Sequence, residues 1–196
     1  AALIWGVSID SVYYKNAVFT TTENVTEKLT FSEIAAKLSG LLTGHGNVNV
    51  ENWAGATGGA IVDVEIDPET GKIEILRYTA LQNAGKAIHP GQVEGQMQGG
   101  AVQGIGWALY EGYEHDQNGQ VLNANLLDYK LPTALDVPPI EAVIIEKPFP
   151  GNPYGVRGVG ETPIVPPAAA IANAVSQAVG QRINQLPMTP SRVLEA

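Results

Sequence analysis

The feature that most constrains this sequence is an apolar segment, residues 91–113, in which glycines recur. Its apolar residues are spaced three and four apart, which predicts one long helix. A glycine inside a helix costs about 0.5 to 1 kcal/mol relative to alanine. The interior glycines therefore indicate that other groups approach this helix closely. They are Gly95, Gly99, Gly100, Gly104 and Gly106.

A β-hairpin is predicted just before that helix. Residues 61–66 and 73–78 alternate apolar and polar side chains, and the turn-forming residues 67–71 separate them. Other strands are expected in shorter segments. They are two strands within 11–20, one over 48–53, one over 142–145, and one over 122–129 that follows a second hairpin turn at Asn118-Gly119.

Three further helices complete the predicted pattern. Thr30 and Glu33 form a capping box that opens a helix ending at Leu38. An alanine-rich helix is expected over 163–177 and a short one over 190–195. Hairpins combined with a few helices predict an α+β fold, in which hairpin-connected sheets pack with the long glycine-rich helix and the C-terminal alanine-rich helix. The uncapped apolar start predicts that the chain, residues 1–196, is a fragment.

Composition excludes several classes of function. The 196 residues include 20 acidic and 11 basic side chains, for a net charge of −9, which argues against a nucleic-acid partner. Cysteine is absent, so this chain cannot form disulfides or hold an iron–sulfur cluster through thiolates. The first residues predict neither a signal peptide nor a membrane span, and a cytoplasmic location is expected.

Familiar catalytic motifs are also missing. Neither a dinucleotide fingerprint nor a phosphate-binding loop has its glycines in place, and no Gly-x-Ser-x-Gly sequence occurs. The three histidines, His45, His89 and His115, lack the spacing of metal ligands, so no metal site made by the protein alone is expected.

One unusual segment remains, residues 155–163, in which glycines surround Arg157 and lead through Glu161 to a proline. A carboxylate on such a turn can be placed close to a ligand, as a general base requires. Simpler interpretations stay open at this point. Glu161 could only stabilise a helix N-terminus, Gln96 and Gln98 could be solvated, and Arg157 could be a plain surface charge.

Three stretches together resemble a known family. They are residues 60–71, residues 84–106 with Val93-Glu94-Gly95-Gln96, and Gly158-Val159-Gly160-Glu161 followed by residues 186–190. In order and spacing they are similar to the C-terminal part of the molybdopterin-binding large subunit of the molybdenum hydroxylases, the xanthine dehydrogenase and aldehyde oxidase family. The resemblance extends from about Phe31 over most of the chain.

The resemblance implies a function and three site residues. Glu161 matches the general base that deprotonates the water-derived oxygen used to hydroxylate an aldehyde or N-heterocycle. Gln96 matches the glutamine whose amide meets the molybdopterin cofactor, and Val159 matches a position whose backbone lies against it. Iron–sulfur clusters and FAD are then expected on other subunits.

Departures from the family pattern shape the remaining expectations. The family's upstream glycine-rich loop, its second glutamine motif and its substrate-orienting arginine have no counterpart, and Arg157 stands where lysine is usual. The chain is therefore expected to be one portion of a molybdenum-cofactor-binding domain. Its expected partners are the rest of that subunit, an iron–sulfur subunit, a FAD subunit and a small-molecule substrate, and self-association stays open. The alternative is an inactive structural fragment that keeps the fold but binds no cofactor alone.

Overall fold

The structure, a computed structural model, describes residues 1–23, 26–41, 43–47 and 55–196. The strand expected over 48–53 lies outside the described residues. Two compact units divide the chain, Ala1–Val48 and Asn49–Ala196. The α-helices are α1 (Ala2–Trp5), α2 (Phe31–Lys37), α3 (Pro90–Leu109), α4 (Val165–Val179) and α5 (Pro190–Leu194). The strands are β1 (Val12–Lys15), β2 (Val18–Thr21), β3 (Leu29–Thr30), β4 (Thr57–Ile66), β5 (Ile73–Asn83) and β6 (Ile140–Ile145).

The first unit is a small antiparallel sheet with one capped helix. Strands β1 and β2 pair around Asn16 and Ala17, whose φ angles of 52° and 63° suit a tight hairpin turn. At the start of α2 the Glu33 carboxylate accepts a hydrogen bond from the Thr30 N–H at 2.7 Å, and Thr30 Oγ1 accepts one from the Glu33 N–H at 3.3 Å. Both the first hairpin and the capping box are confirmed.

The second unit is built on the predicted β4–β5 hairpin, which the structure confirms and lengthens. The Asp67 carboxylate accepts a hydrogen bond from the Glu69 N–H at 2.8 Å and so shapes the turn between the strands. The register shifts at Asp63/Val64, since Asp63 pairs with Arg77 and Val64 with Ile75. This bulge changes the local twist of the hairpin.

Strand β6 joins this sheet in a different way from the hairpin. It pairs with β5 in parallel, in register from Tyr78↔Ile140 to Asn83↔Ile145. Parallel neighbours need a long crossover connection, and here that connection includes α3. The α+β class is confirmed, whereas the parallel pairing was not part of the prediction.

Helix α3 is the predicted glycine-rich helix. A Cβ added to Gly100 would lie 2.9 Å from the Pro163 Cβ, and one added to Gly104 would lie 2.7 Å from the Pro167 Cβ. By contrast, a Cβ at Gly95 or Gly99 would meet nothing within 4 Å. The helix is therefore closely packed along one face and bare along another.

The core of the second unit lies between the sheet, α3 and α4. Helix α4, the predicted alanine-rich helix, packs on β4 and on α3. The largest fully buried side chains of this core are apolar apart from one glutamine. They are Tyr78, Gln82, Met97, Ile105, Pro167, Ile171, Val175 and Met188. Among the described residues, no helix has the length and apolar character required to cross a membrane.

The second predicted hairpin is confirmed at its turn, but the strand predicted over 122–129 is wrong. Gly119 does turn the chain, with a φ of 82°, but only the single bridge His115↔Val121 follows from it. The reason is local side-chain bonding, because Asn123 bonds to the backbone of Gly112 and Glu114 in place of a strand partner. Residues 113–137 instead form an irregular segment, here called the leucine loop. Its exposed leucines are Leu122, Leu126, Leu127, Leu131 and Leu135.

Helix α3 also ends earlier than the predicted residue 113. The N–H groups of Tyr110 and Glu111 both donate to the Gly106 carbonyl, at 2.9 Å and 2.8 Å. This shared acceptor closes the last turn, so that α3 stops at Leu109.

Candidate active site

Residues 155–163, here called the Glu161 turn, are held against the end of β5 by backbone hydrogen bonds. The Arg157 N–H donates to the Ala84 carbonyl at 2.9 Å, and the Lys86 N–H donates to the Gly155 carbonyl at 3.1 Å. Gly85 lies between these two bonds with a φ of 68°. A Cβ there would collide with the Gly155 carbonyl oxygen and lie 2.9 Å from the Arg157 nitrogen. Only glycine allows the two segments to pass so closely.

The far end of the turn rests on two glycines. Thr162 begins a short 3₁₀ helix, Thr162–Ile164, whose buried Pro163 packs on Gly100 of α3. Thr162 Cγ2 lies 2.9 Å from where a Cβ on Gly58 of β4 would stand. The turn is thus fixed between the sheet and α3.

Glu161 stands at the N-terminal end of that 3₁₀ helix, with its side chain exposed. It caps no backbone N–H there. The simpler interpretation, in which Glu161 exists to cap the following helix, therefore has no hydrogen bond to support it. The turn therefore presents an exposed carboxylate at the start of this 3₁₀ helix.

Gln96 lies on α3 beside this turn. Its Oε1 is 3.8 Å from the position of a Cβ on Gly160, so the glutamine amide and the residue before Glu161 are neighbours. Val159 is half-buried and packs against the core of the second unit. The structure therefore brings the three residues that the sequence singled out into one region of the molecule.

A cleft of about 660 Å³ opens between the first turns of α3 and the Glu161 turn. Gln96 and Val159 both line it, together with His89 and Gln92 from the start of the helix. Glu161 is not one of its lining residues. The sequence thus predicted two residues that line the cleft, Gln96 and Val159, and one carboxylate near it, Glu161.

One charged side chain that lines the cleft, Lys86, forms an ion pair with Glu146. Lys86 Nζ lies 2.8 Å from Glu146 Oε1, and the Ala87 N–H donates to the same oxygen at 2.8 Å. The bond from Lys86, and after it the bond from Ala87, hold the pKa of Glu146 below its usual range. Among the described residues, no cluster of three or more carboxylates and histidines could bind a metal ion.

Arg157 is not a plain surface charge. Its guanidinium donates to the Gly55 carbonyl at 2.7 Å and to the Lys147 carbonyl at 3.4 Å, and it stacks over the Phe149 ring at 5.4 Å. A planar fork of donors suits this combination of carbonyls and a ring better than an ammonium would. Arg157 therefore fastens the Glu161 turn to its surroundings.

Sequence reasoning missed three residues that hold the turn: Gly58, Gly85, and Gln82, whose amide donates to the Gly158 carbonyl. Gly85 sits within the sequence Asn83-Ala84-Gly85, a strand end followed by glycine, which is a turn signal. Gln82 follows the apolar pair Ala80-Leu81 near the end of β5, and the sequence there carries no distinct signal that its amide bonds to something inside the fold.

Comparisons with known proteins agree with this architecture. The family model for the molybdopterin cofactor-binding domain matches residues 1–138. A putative xanthine dehydrogenase molybdenum-binding subunit from Escherichia coli is 41% identical over 157 residues, which are 80% of this chain and 21% of that protein. An aldehyde oxidoreductase from Megalodesulfovibrio gigas is 36% identical over 69% of this chain and 15% of its own length.

Solved structures extend the likeness to the whole chain. Quinoline 2-oxidoreductase from Pseudomonas putida 86 matches with a TM-score of 0.78 and 27% identity, over 100% of this chain and 27% of that one. A Cu,Mo-containing CO dehydrogenase also matches with a TM-score of 0.78, at 26% identity, over 99% of this chain and 26% of its own.

Two facts limit what these matches transfer. The chain spans about a fifth of the length of the curated relatives it matches, 21% for the E. coli subunit. The family match ends at residue 138, before Val159 and Glu161. Within those limits the relatives are molybdopterin oxidoreductases and the fold is theirs. The chain therefore belongs to the molybdopterin cofactor-binding domain family of the molybdenum hydroxylases.

Proposed function

We propose that this chain forms one wall of the active site of a molybdenum hydroxylase, with Glu161 as the general base. The observation that carries the proposal is the exposed Glu161 on a hydrogen-bonded turn, directly after Gly160, which neighbours Gln96. The substrate class that we propose is an aldehyde or an N-heterocycle, hydroxylated with oxygen from water. The cytoplasmic location and the exclusion of nucleic acid stay predictions.

The wall has the properties that a large polar cofactor requires. Gly95 and Gly99 on α3, and Gly158 on the turn, would each meet nothing within 4 Å if they carried a Cβ, so bare backbone faces open space. Gln96 adds an amide that can both donate and accept. Backbone and amide groups of this kind suit the pterin and phosphate parts of molybdopterin, which would supply the redox chemistry when bound. Gln96 and the backbone of Val159 are the groups that we propose hold it.

Glu161 then has one task, to accept a proton from the attacking oxygen. Carboxylates are among the side chains that act as general bases, provided that they lie within hydrogen-bond reach of the proton they accept. The hydrogen bonds that fix the backbone keep the carboxylate in position during this step.

The names of the relatives support the partners that we propose. The relatives include a nicotine 6-hydroxylase large subunit and a CO dehydrogenase large chain, which are named as parts of larger enzymes. We propose that the rest of the molybdopterin subunit completes the cofactor site and that iron–sulfur and FAD subunits carry electrons away. The isolated chain would then hold no molybdenum. Metal and pterin analysis of the complete enzyme and of the isolated chain tests this, and molybdenum in the isolated chain would contradict it.

The base is tested by Glu161→Gln in the complete enzyme. A general base contributes about 10² to 10⁴-fold to a rate, so we expect kcat to fall by at least that factor while molybdenum and pterin content stay unchanged. Glu69→Gln is the matched control, since it removes the same charge from the exposed turn after β4. Retained turnover in Glu161→Gln would overturn the assignment, and so would loss of cofactor in parallel with activity.

A further inference from the structure

One buried polar side chain has no part in the function proposed so far. Gln82 lies in β5, is only 1% exposed, and is surrounded by the apolar core of the second unit. Its Nε2 donates a hydrogen bond to the Gly158 carbonyl at 3.0 Å, across 76 residues of sequence. Gly158 is three residues before Glu161. A core side chain thus reaches the turn that carries the proposed base.

The placement of Gln82 is costly for the fold. Its Oε1 is buried and accepts no hydrogen bond from the described residues. A buried acceptor without a partner destabilises a protein, whereas an apolar side chain of the same size does not. Packing alone would therefore favour methionine or leucine at this position. What glutamine adds is the donor that reaches Gly158.

That donor fills a gap between the other supports of the turn. The backbone bonds to Ala84 and Lys86 hold residues 155–157, and contacts with Gly58 and Gly100 hold residues 162–163. A Cβ on Gly158 would meet nothing within 4 Å, and one on Gly160 would meet only Gln96, at 3.8 Å. Val159 packs against the core, and the hydrogen bond from Gln82 adds a polar contact from the described residues to the middle of the turn.

We propose that Gln82 is a positioning residue for Glu161, which it acts on through the Gly158 carbonyl. The proposal rests on the proposed function of Glu161. Gln82 is not among the residues that line the cleft. It sets the path of the backbone between Gly158 and Glu161, and with it the place where the carboxylate meets the proton.

The test uses Gln82→Met and Gln82→Leu in the complete enzyme, since each removes the donor with a different apolar shape. A displacement of about 1 Å can cost 10²-fold in rate, so we expect kcat to fall by about 10 to 100-fold with little change in KM. The matched control is Gln98→Met, which removes a similar bond, from Gln98 Nε2 to the Ile140 carbonyl at 3.2 Å, away from the turn. That variant should keep its kcat.

A second measurement does not depend on turnover. In the cofactor-free protein, amide hydrogen exchange of residues 156–163 should accelerate in both Gln82 variants, while β5 and α4 stay protected and Tm does not fall. A residue that only packs would give the opposite result, with a lower Tm and faster exchange throughout β5. Unchanged exchange in the turn together with unchanged kcat would also overturn the proposal.

The two proposals fail in different ways. If Glu161→Gln keeps its turnover while the turn loosens in the Gln82 variants, Gln82 positions the turn but Glu161 is not the base. If Glu161→Gln is inactive and the Gln82 variants behave like the unaltered enzyme, the base stands and the positioning role does not.

Discussion

The Glu161 turn and the leucine loop are both irregular segments rich in turn-forming residues, yet they are held in different ways. The Glu161 turn bonds to distant elements, through the backbone of Ala84 and Lys86 and the side chain of Gln82. The leucine loop bonds mostly to itself and its neighbours, as when Asn125 accepts from the N–H groups of Leu127 and Asp128. A precise position therefore comes from long-range bonds rather than from regular secondary structure.

The largest difference between the two segments is expected when a side chain at Gly85 keeps the end of β5 and the Glu161 turn apart. In Gly85→Ala the Cβ adds left-handed strain and a collision with the Gly155 carbonyl, which together should lower the free energy of unfolding by about 2 to 5 kcal/mol. Gly119→Ala in the leucine loop is the matched control, because its φ of 82° gives similar strain with nothing within 4 Å. It should cost about 1 to 2 kcal/mol. Denaturant unfolding of both variants measures the difference, and equal losses would contradict it.

A smaller effect is expected when the leucine loop loses its buried amide. Asn123 donates to the Gly112 carbonyl at 2.7 Å and accepts from the Glu114 N–H at 3.0 Å. Asn123→Ala leaves both backbone groups without this partner and should cost about 1 to 3 kcal/mol. Hydrogen exchange should rise within the leucine loop and stay unchanged in the Glu161 turn. The exposed Asn125→Ala is the control, and faster exchange in both regions of Asn123→Ala would show that the two regions are coupled.

The smallest expected effect is on the stability of the fold at low pH. Bonds from Lys86 and then Ala87 lower the pKa of Glu146 beside the Glu161 turn, and the N–H groups of Gln120 and then Asn118 lower that of Asp116 in the leucine loop. A pKa lowered by folding stabilises the fold above the ordinary pKa of the carboxyl, and the gain is lost as pH falls through the lowered value.

Glu146→Gln and Asp116→Asn should therefore each flatten the loss of stability below about pH 4. Salt screens exposed charge pairs. High salt should therefore reduce the effect of Glu146→Gln, because the first partner of Glu146 is the charged Lys86. It should leave the effect of Asp116→Asn unchanged, because the partners of Asp116 are backbone N–H groups. Thermal unfolding at pH 7 and pH 3, each at low and high salt, measures both. The same salt response at the two positions would contradict the assignment of causes.

The sequence predicted those elements whose signals are local. The alternation that flanks residues 67–71 identified the β4–β5 hairpin, and Thr30 with Glu33 identified the start of α2. Signals of the same kind failed at Asn118-Gly119, because Asn123 bonds to the backbone where a strand partner would stand. A turn signal shows that the chain reverses, but it does not show that strands follow.

The site was predictable only in part for a related reason. Gln96, Val159 and Glu161 came from a resemblance in motif, and the structure places them close together. The residues that hold them, Gln82 and Gly85, act across 76 residues in one case and through a backbone collision in the other. Neither relation leaves a periodic pattern in the sequence.

The parallel pairing of β5 with β6 also has a consequence for folding kinetics. β4 and β5 are neighbours in sequence, so their hairpin can form early, whereas the bond from Thr79 to Glu141 joins residues 62 positions apart. Contacts of such separation form late, because the loop between them must close first. The bond from Gln82 to Gly158 spans still more of the chain. The contacts between the Glu161 turn and β5 are therefore expected to form after the β4–β5 hairpin.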